Sequence, residues 1–377
     1  MMGYEKAELP LWKAWQGQFP VADRYVYLNH AAVAPLSHNA ALAMAWLASD
    51  TLYHGALHYE RWLEAYDGVR KAASLLINAE PAEIALMKNT SEGVATVALG
   101  IDWRWGDKVV AFREEFPANF YPWKRLEEKG VQVEWLSILS PLEEIDKACR
   151  GARLLAISFV NYLTGYRVDL EGIGGICKRH GTFYFVDAIQ GLGAYPIDVR
   201  GCGIHALAAD GHKWLLGPEG CGLLYIQRDW QDSIFPVEFG WTNVAKFADY
   251  SSRDMALRDD AGRYECGTLN TIGCFGLRAA VELILEVGVE RITPAVTALA
   301  DRIAEGVVKK DYELSGPRNA SCASGIVSFR KPGVDSRMLV AKLKEADILA
   351  APRQGWVRAS PHFYVDPSGI EKMLELL

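Results

Sequence analysis

Three side chains between Thr182 and Ile226 have the types and spacing for chemistry. Asp187 closes an apolar, aromatic run, Phe183–Val186, of strand length and composition. Gln190 follows three positions later, and Lys213 stands 26 positions after the acid, behind Gly211 and His212. Parallel strands deliver their C-terminal residues into a ligand crevice, so a strand-end acid and a lysine in a glycine-flanked turn can face one bound group. That pair suits an aldehyde cofactor of the pyridoxal 5'-phosphate kind. The lysine amine forms a Schiff base with the aldehyde, and the acid keeps a pyridine nitrogen protonated so that the ring accepts electrons. Read alone, each has a plainer use: a solvated turn lysine, and an aspartate that caps a helix.

The elements that must hold these residues alternate. Short apolar runs at Ile84–Met87, Lys108–Phe112, Val131–Trp135, Leu154–Val160, Phe183–Val186, His205–Ala208 and Gly222–Ile226 read as seven strands. Helical text separates most of them, at 94–99, 118–129, 142–150 and 170–180. Helical crossovers join parallel strands, so the expected class is α/β: a mostly parallel seven-stranded sheet with helices on both faces. Before it, 25–37 reads as a short strand and a small-residue loop, and Ser37–Ala48 and Tyr59–Leu76 as helices. After Asp229 the rhythm is irregular as far as Asp260. Helices at Leu277–Val287, Val289–Val308 and Asp335–Ala346, with strands at Gly325–Phe329 and Trp356–Ser360, then suggest a smaller α+β unit. The expected division is an N-terminal arm at 1–24, carrying Trp12, Trp15 and Phe19 and packing on the small domain or a partner subunit, a large cofactor domain at 25–258, and a small domain at 259–377.

Composition narrows the partners. The chain has 377 residues, half of them hydrophobic, enough for a large core without metals or cross-links. A formal charge of −7, with no basic run beyond two residues, argues against nucleic acid and anionic membrane surfaces. The seven cysteines are scattered and form no CxxC pair, as expected of reduced thiols in a cytoplasmic protein. The start of the chain carries Glu5, Lys6 and Glu8 rather than an apolar signal core, and no apolar stretch approaches membrane length. His54 and His58 lie four apart, as on one helix face. No metal set completes them nearby, so a solvated face is expected.

Eight segments, in order, resemble the class V aminotransferase family of fold type I pyridoxal-phosphate enzymes. They are YLNHAAVAP, NTSEGV, EEFPANFYPW, SFVNYLTGYRVDL, VDAIQGLGAYPIDV, AADGHKWLLGPEGCGLLY, ECGTLN and VRASPHFY. That family holds cysteine desulfurases, kynureninase and isopenicillin N epimerase-like proteins. The resemblance implies pyridoxal 5'-phosphate as cofactor, Lys213 as the Schiff-base lysine, Asp187 as partner of the pyridine nitrogen and Gln190 as a hydrogen-bond partner of the ring hydroxyl. It implies a phosphate cradle at Thr90 and Ser91, with His212 beside it; hydroxyls at a turn into a helix also serve as plain N-caps. Phe116 would stack on the ring, or be a core aromatic. Asn161 would lie near the ring hydroxyl and substrate. Arg358 would clamp the substrate α-carboxylate, which its planar fork matches, or be a surface arginine on an edge strand. His30 is a candidate for the substrate pocket, or a satisfied loop histidine. Gly267, Thr268 and Asn270, with Trp241, resemble residues that reach a neighbouring subunit's site, so a homodimer is expected. Asp210 stands where group II desulfurases have serine; a carboxylate repels phosphate, so Asp210 is left out of the cradle.

The expected activity is that of an aminotransferase acting on an amino acid, with lyase or epimerase chemistry as the alternative. Desulfurases place a catalytic cysteine shortly before the carboxylate arginine. Here Leu349–Val357 contains none, and Cys322 precedes an earlier strand, so persulfide formation on the protein lacks a nucleophile. A lyase acting directly on a sulfur or selenium amino acid needs no such thiol. A nucleotide-dependent oxidoreductase is disfavoured because Gly191-Leu192-Gly193 runs into Tyr195-Pro196, which blocks a helix start. Retention of Lys213, Asp187 and Arg358 together disfavours a binding protein that has lost catalysis.

Overall fold

The computed structural model describes residues 9–377. α1 (Leu11–Trp15), β1 (Val26–Tyr27), α2 (His38–His54) and α3 (Tyr59–Ile77) come first. One sheet then gathers β2 (Ile84–Met87), β3 (Lys108–Phe112), β4 (Gln132–Leu136), β5 (Leu154–Ser158), β6 (Phe183–Asp187), β7 (Ala206–Asp210) and β8 (Gly222–Ile226). Between them run α4 (Thr90–Gly100), α5 (Tyr121–Arg125), α6 (Leu142–Cys149) and α7 (Leu170–His180). The strand order is β2-β8-β7-β6-β5-β3-β4. All neighbours are parallel except β8, which runs antiparallel to both β7 and β2.

Side-chain alternation decides the layering. In β6, Phe183 and Phe185 enter one core, and Tyr184 and Val186 enter the other; β5 and β7 divide in the same way. Every residue of β5, β6, β7 and β8 is buried, so neither face meets water and helices cover both.

The rest of the chain comprises α8 (Thr271–Val287), α9 (Val289–Val308), β9 (Glu313–Leu314), β10 (Val327–Arg330), α10 (Ser336–Glu345), β11 (Ile348–Leu349), β12 (Ala351–Arg353), β13 (Trp356–Ala359) and α11 (Pro367–Leu376). A four-stranded antiparallel sheet has the order β12-β13-β10-β9, and β1 pairs in parallel with β11. The start of the described chain docks on this C-terminal part: Phe19 is buried and stacks on Tyr364 at 3.7 Å, while Trp12 and Trp15 are half-buried. The charged residues Glu5, Lys6 and Glu8 lie outside the described residues.

Local chemistry moves several elements from their expected places. The helix expected over 118–129 is broken into a 3-10 turn, the short α5 and a second 3-10 turn, ended by Gly130 at φ 79°. Pro122 has no N–H to donate and restricts the residue before it. The helix expected over Val289–Val308 forms with those bounds and carries Pro294 in its second turn, where a proline near the start of a helix removes only one interior hydrogen bond. His54 and His58 do not share a helix face. α2 ends at His54, Gly55 turns the chain at φ 59°, and His58 precedes α3, with its Nδ1 2.7 Å from an acidic partner, Asp50.

α4 lies tightly on β7: a Cβ added at Gly93 would sit 2.8 Å from the Ala208 methyl. Gly93→Val is expected to push α4 off the sheet and cost about 1–3 kcal/mol, read as a lower thermal midpoint. An unchanged midpoint would show that the contact is slack.

Candidate active site

The ends of the sheet strands bring the predicted residues to one edge. Ser158 pairs with Asp187, Asp187 with Ala208, Asp210 with Gly222, and Gly222 with Met87. Lys213 leaves β7 at this edge, Thr90 opens α4 beyond Met87, and Glu115 and Phe116 follow β3.

The lysine loop is tied down on several sides. Gly211 N donates to Cys221 O at 2.9 Å, Leu216 N to Lys213 O at 3.0 Å, Gly217 N to Gly211 O at 2.9 Å, and Ala34 N to His212 O at 2.7 Å. Gly211 is required here, because a Cβ would lie 2.7 Å from Cys221 O. Leu216 holds φ at 59°, a region non-glycine residues seldom occupy, and is fully buried. Trp214 next to the lysine is fully buried and donates from Nε1 to Gln190 Oε1 at 2.9 Å.

Burial sets the charge states. The Lys213 amine is pushed down to about 8, first by loss of water and then by the positive charges of Arg358 and Arg353; Asp187 and Asp210 oppose this. Asp187 is pushed up to about 6 by its burial, against a 3.1 Å hydrogen bond from Ile189 N and the charge of Lys213. Arg358, 2 % exposed, is pushed down to about 9 by burial and by Arg353. It donates from one terminal nitrogen to Tyr162 O at 2.7 Å, and its buried Nε has no partner. A buried guanidinium without a carboxylate is poised for an anionic ligand. Lys213 Nζ stands 5.7 Å from the ring centre of Phe116, which is 48 % exposed and meets Tyr162 edge-on. Phe116 is therefore not a core aromatic.

Thr90 and Ser91 are not the N-cap of α4. Asn89 is, its side chain accepting from Glu92 N at 3.0 Å. The buried Thr90 Oγ1 thus has no partner, at a helix N-terminus whose amide groups favour an anion. Ser91 is exposed one residue on. His212 Nδ1 lies 3.1 Å from Asp210 Oδ1 but is not aligned for a hydrogen bond. The acid therefore sits beside an imidazole rather than alone at the cradle.

Three expected site residues are engaged elsewhere. His30 is fully buried, with Nδ1 2.8 Å from Ser360 O and Nε2 2.6 Å from Tyr364 Oη; it is a satisfied core histidine and lines no substrate pocket. Asn161 Oδ1 accepts from Leu163 N, Thr164 N and Thr164 Oγ1, and its Nδ2 donates to Glu114 O, so it shapes its own turn. Gln190 accepts from Trp214 and donates from Nε2 to Ala31 O at 3.0 Å, so both ends of its amide are already tied to the chain. Trp241 packs on Phe247 and Tyr250, and Thr268 is exposed on a cleft with Lys88, Glu92 and Gly220. Asn270 caps α8 and also holds Gly220 O at 3.0 Å.

Glu115 is the residue that sequence reasoning missed. It is buried and accepts from Ser158 N at 2.6 Å and from Ser158 Oγ. Those bonds fasten the segment carrying Phe116 to the strand end beside Asp187. Burial, with the Asp187 charge adding, raises its carboxyl to about 8. It lies inside the motif EEFPANFYPW, but an acid in a turn reads as solvated until the strand that covers it is known.

Comparison with known proteins gives the same frame. Residues 26–364 match the family model described as Aminotransferase class-V. A probable cysteine desulfurase of Pyrococcus abyssi is 30% identical, over 95% of this chain and 94% of its own. The apo structure of a cysteine desulfurase from Thermococcus onnurineus NA1 superposes with a TM-score of 0.90 at 28% identity, covering 98% of both chains. A structure of C-DES with glycine covalently linked to its PLP cofactor has a TM-score of 0.87 at 23% identity, covering 95% of this chain and 97% of that one.

Two predictions follow from the titrations. Reductive methylation of the apoprotein, mapped by peptide mass, should label Lys213 with a pH midpoint near 8, while ordinary lysines climb toward about 10.4; a Lys213 midpoint in that ordinary range would refute its burial. For Glu115 the folded pKa lies above the ordinary 4.5, so the folded state keeps a proton that the unfolded chain releases between pH 4.5 and about 8. Stability from this group therefore falls as pH rises through that window. Glu115→Gln should flatten the decline, by an amount on the order of a few kcal/mol at the alkaline end. Parallel melting curves for the two proteins from pH 5 to 8 would argue against a raised Glu115.

Proposed function

The chain belongs to the class V aminotransferase family, and from that premise we propose that it is a lyase that breaks a Cβ–S bond of an amino acid without a thiolate of its own. Its cofactor is pyridoxal 5'-phosphate, which when bound supplies an electron sink for the pair released at Cα. The partnerless Thr90 hydroxyl at a helix start, the acid at a strand end and the half-exposed Phe116 ring near a buried amine suit such a group. In this reading Thr90, Ser91 and His212 hold the phosphate, Asp187 the ring nitrogen, Phe116 the ring face and Lys213 the aldehyde carbon. Gln190 and Asn161 act by positioning.

The observation that carries the choice of reaction is the mouth of the site. β12 and β13 are joined by Gln354 and Gly355 alone, and no cysteine stands between Leu349 and Val357. Cys322 is buried, with Sγ 3.7 Å from Pro317 O. A sulfur atom released here has no protein thiolate to receive it, so it leaves with its own fragment. Arg358 would orient the substrate carboxylate, and Lys213 Nζ would take the Cα proton. The Cα–H and Cβ–S bonds break, the sulfur departs with the bonding pair, and one water completes release of pyruvate and ammonium. Kinship with a protein named probable cysteine desulfurase supports carbon–sulfur cleavage over the transamination expected from sequence alone.

The proposed assembly is a homodimer, with Trp241 and 267–270 serving the neighbouring site. The exposed Phe235, Phe239, Trp241 and Tyr250 support that face. The seven free cysteines, including Cys221 and Cys274 with Sγ atoms 3.7 Å apart, support a reducing, cytoplasmic location. No described helix is long and apolar enough to cross a membrane.

The deciding experiment supplies purified holoenzyme with single amino acids and assays pyruvate, the released sulfur fragment and the amino form of the cofactor. Stoichiometric pyruvate and sulfur fragment from a Cβ–S substrate are expected, with Lys213→Ala lowering the rate by at least about 10³-fold. Accumulation of the amino form with an α-keto acid, and no sulfur release, would establish transamination instead.

A further inference from the structure

The hairpin that supplies Arg358 carries a second arginine on the same face. In the β12–β13 ladder Ala351 pairs with Arg358, and Arg353 with Trp356. Directly opposed residues share a face, and so do positions two apart on one strand, so Arg353, Ala351, Arg358 and Trp356 all project to one side. Arg353 is then the diagonal neighbour of Arg358, about 7–8 Å away. That side faces the 161–165 turn: Arg358 donates to Tyr162 O at 2.7 Å, Gln354 Nε2 to Tyr162 Oη at 2.7 Å, and Ser328, which pairs with Arg358 across β10, donates from Oγ to Leu163 O at 2.5 Å.

The two guanidiniums differ in setting. Arg358 is buried at the floor, whereas Arg353 is exposed at the rim. The charged neighbours of Arg358 include no carboxylate: Arg353 works against its charge, Tyr162 favours it, and the Lys213 amine feels its charge as a like neighbour. The charge of Arg353 is also felt at Lys213. Two like charges on one face repel unless something anionic lies between or beside them. Two other arginines of this region are spent: Arg330, in β10, pairs with Glu313, and Arg318 with Asp301. Among the ion pairs of the described residues none includes Arg353.

We propose that Arg353 is a specificity residue that binds a second anionic group at the far end of the substrate side chain, so that the preferred substrates are amino acids whose Cβ-linked side chain ends in a carboxylate or comparable anion. This rests on the reading of Arg358 as the α-carboxylate ligand and extends it from one anion to two. The hairpin sets the spacing. Its turn is two residues long, with Gln354 at φ 48° and Gly355 at φ 84°, so Arg353 cannot move away from Arg358 without breaking the ladder.

The test compares pairs that differ in charge and little else: S-carboxymethyl-L-cysteine against S-carbamoylmethyl-L-cysteine, and L-glutamate against L-glutamine. Binding to the holoenzyme is measured by calorimetry and by the shift of cofactor absorbance; pyruvate release is followed separately for the cysteine pair. The anionic member of each pair is expected to bind about 10- to 100-fold more tightly, the range of one charge-assisted contact. Arg353→Gln should bring that ratio close to one, and Arg353→Lys should keep part of it. Equal binding within each pair, or a preference that survives Arg353→Gln, overturns the proposal. So does an equal loss for both members, which would mean that Arg353 shares the α-carboxylate with Arg358. Failure of pyruvate to form while the anionic preference persists would reject the lyase reading and leave the anion site standing.

Discussion

The site depends on burying ionisable groups that water would otherwise keep charged. Lys213, Asp187, Glu115 and Arg358 all sit away from water, and each has its titration moved toward the neutral form. Such groups destabilise a fold unless the surrounding structure holds them in place. Here the seven-stranded sheet does so, with two cores, one on each face, and strand ends aligned by consecutive pairings. The amine gains a reactive, less protonated state chiefly because it is buried, and neighbours of both signs then trim that shift. Moving Arg358 away would raise its basicity, and moving Asp187 away would lower it.

A second level of organisation works through side chains that never need to touch a ligand. Gln190 joins Trp214, the residue after the lysine, to Ala31. Asn161 builds the turn whose carbonyl group holds Arg358. Glu115 fixes the segment of Phe116 to Ser158. Each replaces flexible backbone by a buried hydrogen bond, and such networks specify one geometry when every member is satisfied. The partnerless atoms stand out against this background: Thr90 Oγ1 and Arg358 Nε are buried polar groups for which the chain itself provides nothing.

The sheet was legible in the sequence because strands buried on both faces read as unbroken apolar runs, and all seven runs became strands of one sheet. The acid and the lysine were legible because their spacing fits a strand end and a later turn. His30, Asn161 and Gln190 were harder. Their types suit a site, but what satisfies them, Tyr364, Glu114 and Trp214, is distant in sequence or points in a direction that sequence does not encode. Glu115 was hidden for the opposite reason, since its burial comes from a neighbouring strand. The helix expected over 118–129 was broken at Pro122, whereas α9 kept its expected bounds with Pro294 inside it, a difference that composition alone leaves open.

The reversed direction of β8 has a kinetic corollary. Because β7 and β8 are antiparallel neighbours joined by a short excursion, the lysine is carried on a hairpin, whereas β5 and β6 are linked by the helical crossover α7 and β6 and β7 by the longer loop 188–205. Hairpin pairing closes a small loop at low entropic cost and forms on fast timescales, while parallel pairings wait for distant segments. The reactive amine is thus held by the most local pairing in the sheet. Arg358 joins it only after the chain has returned from more than a hundred residues away.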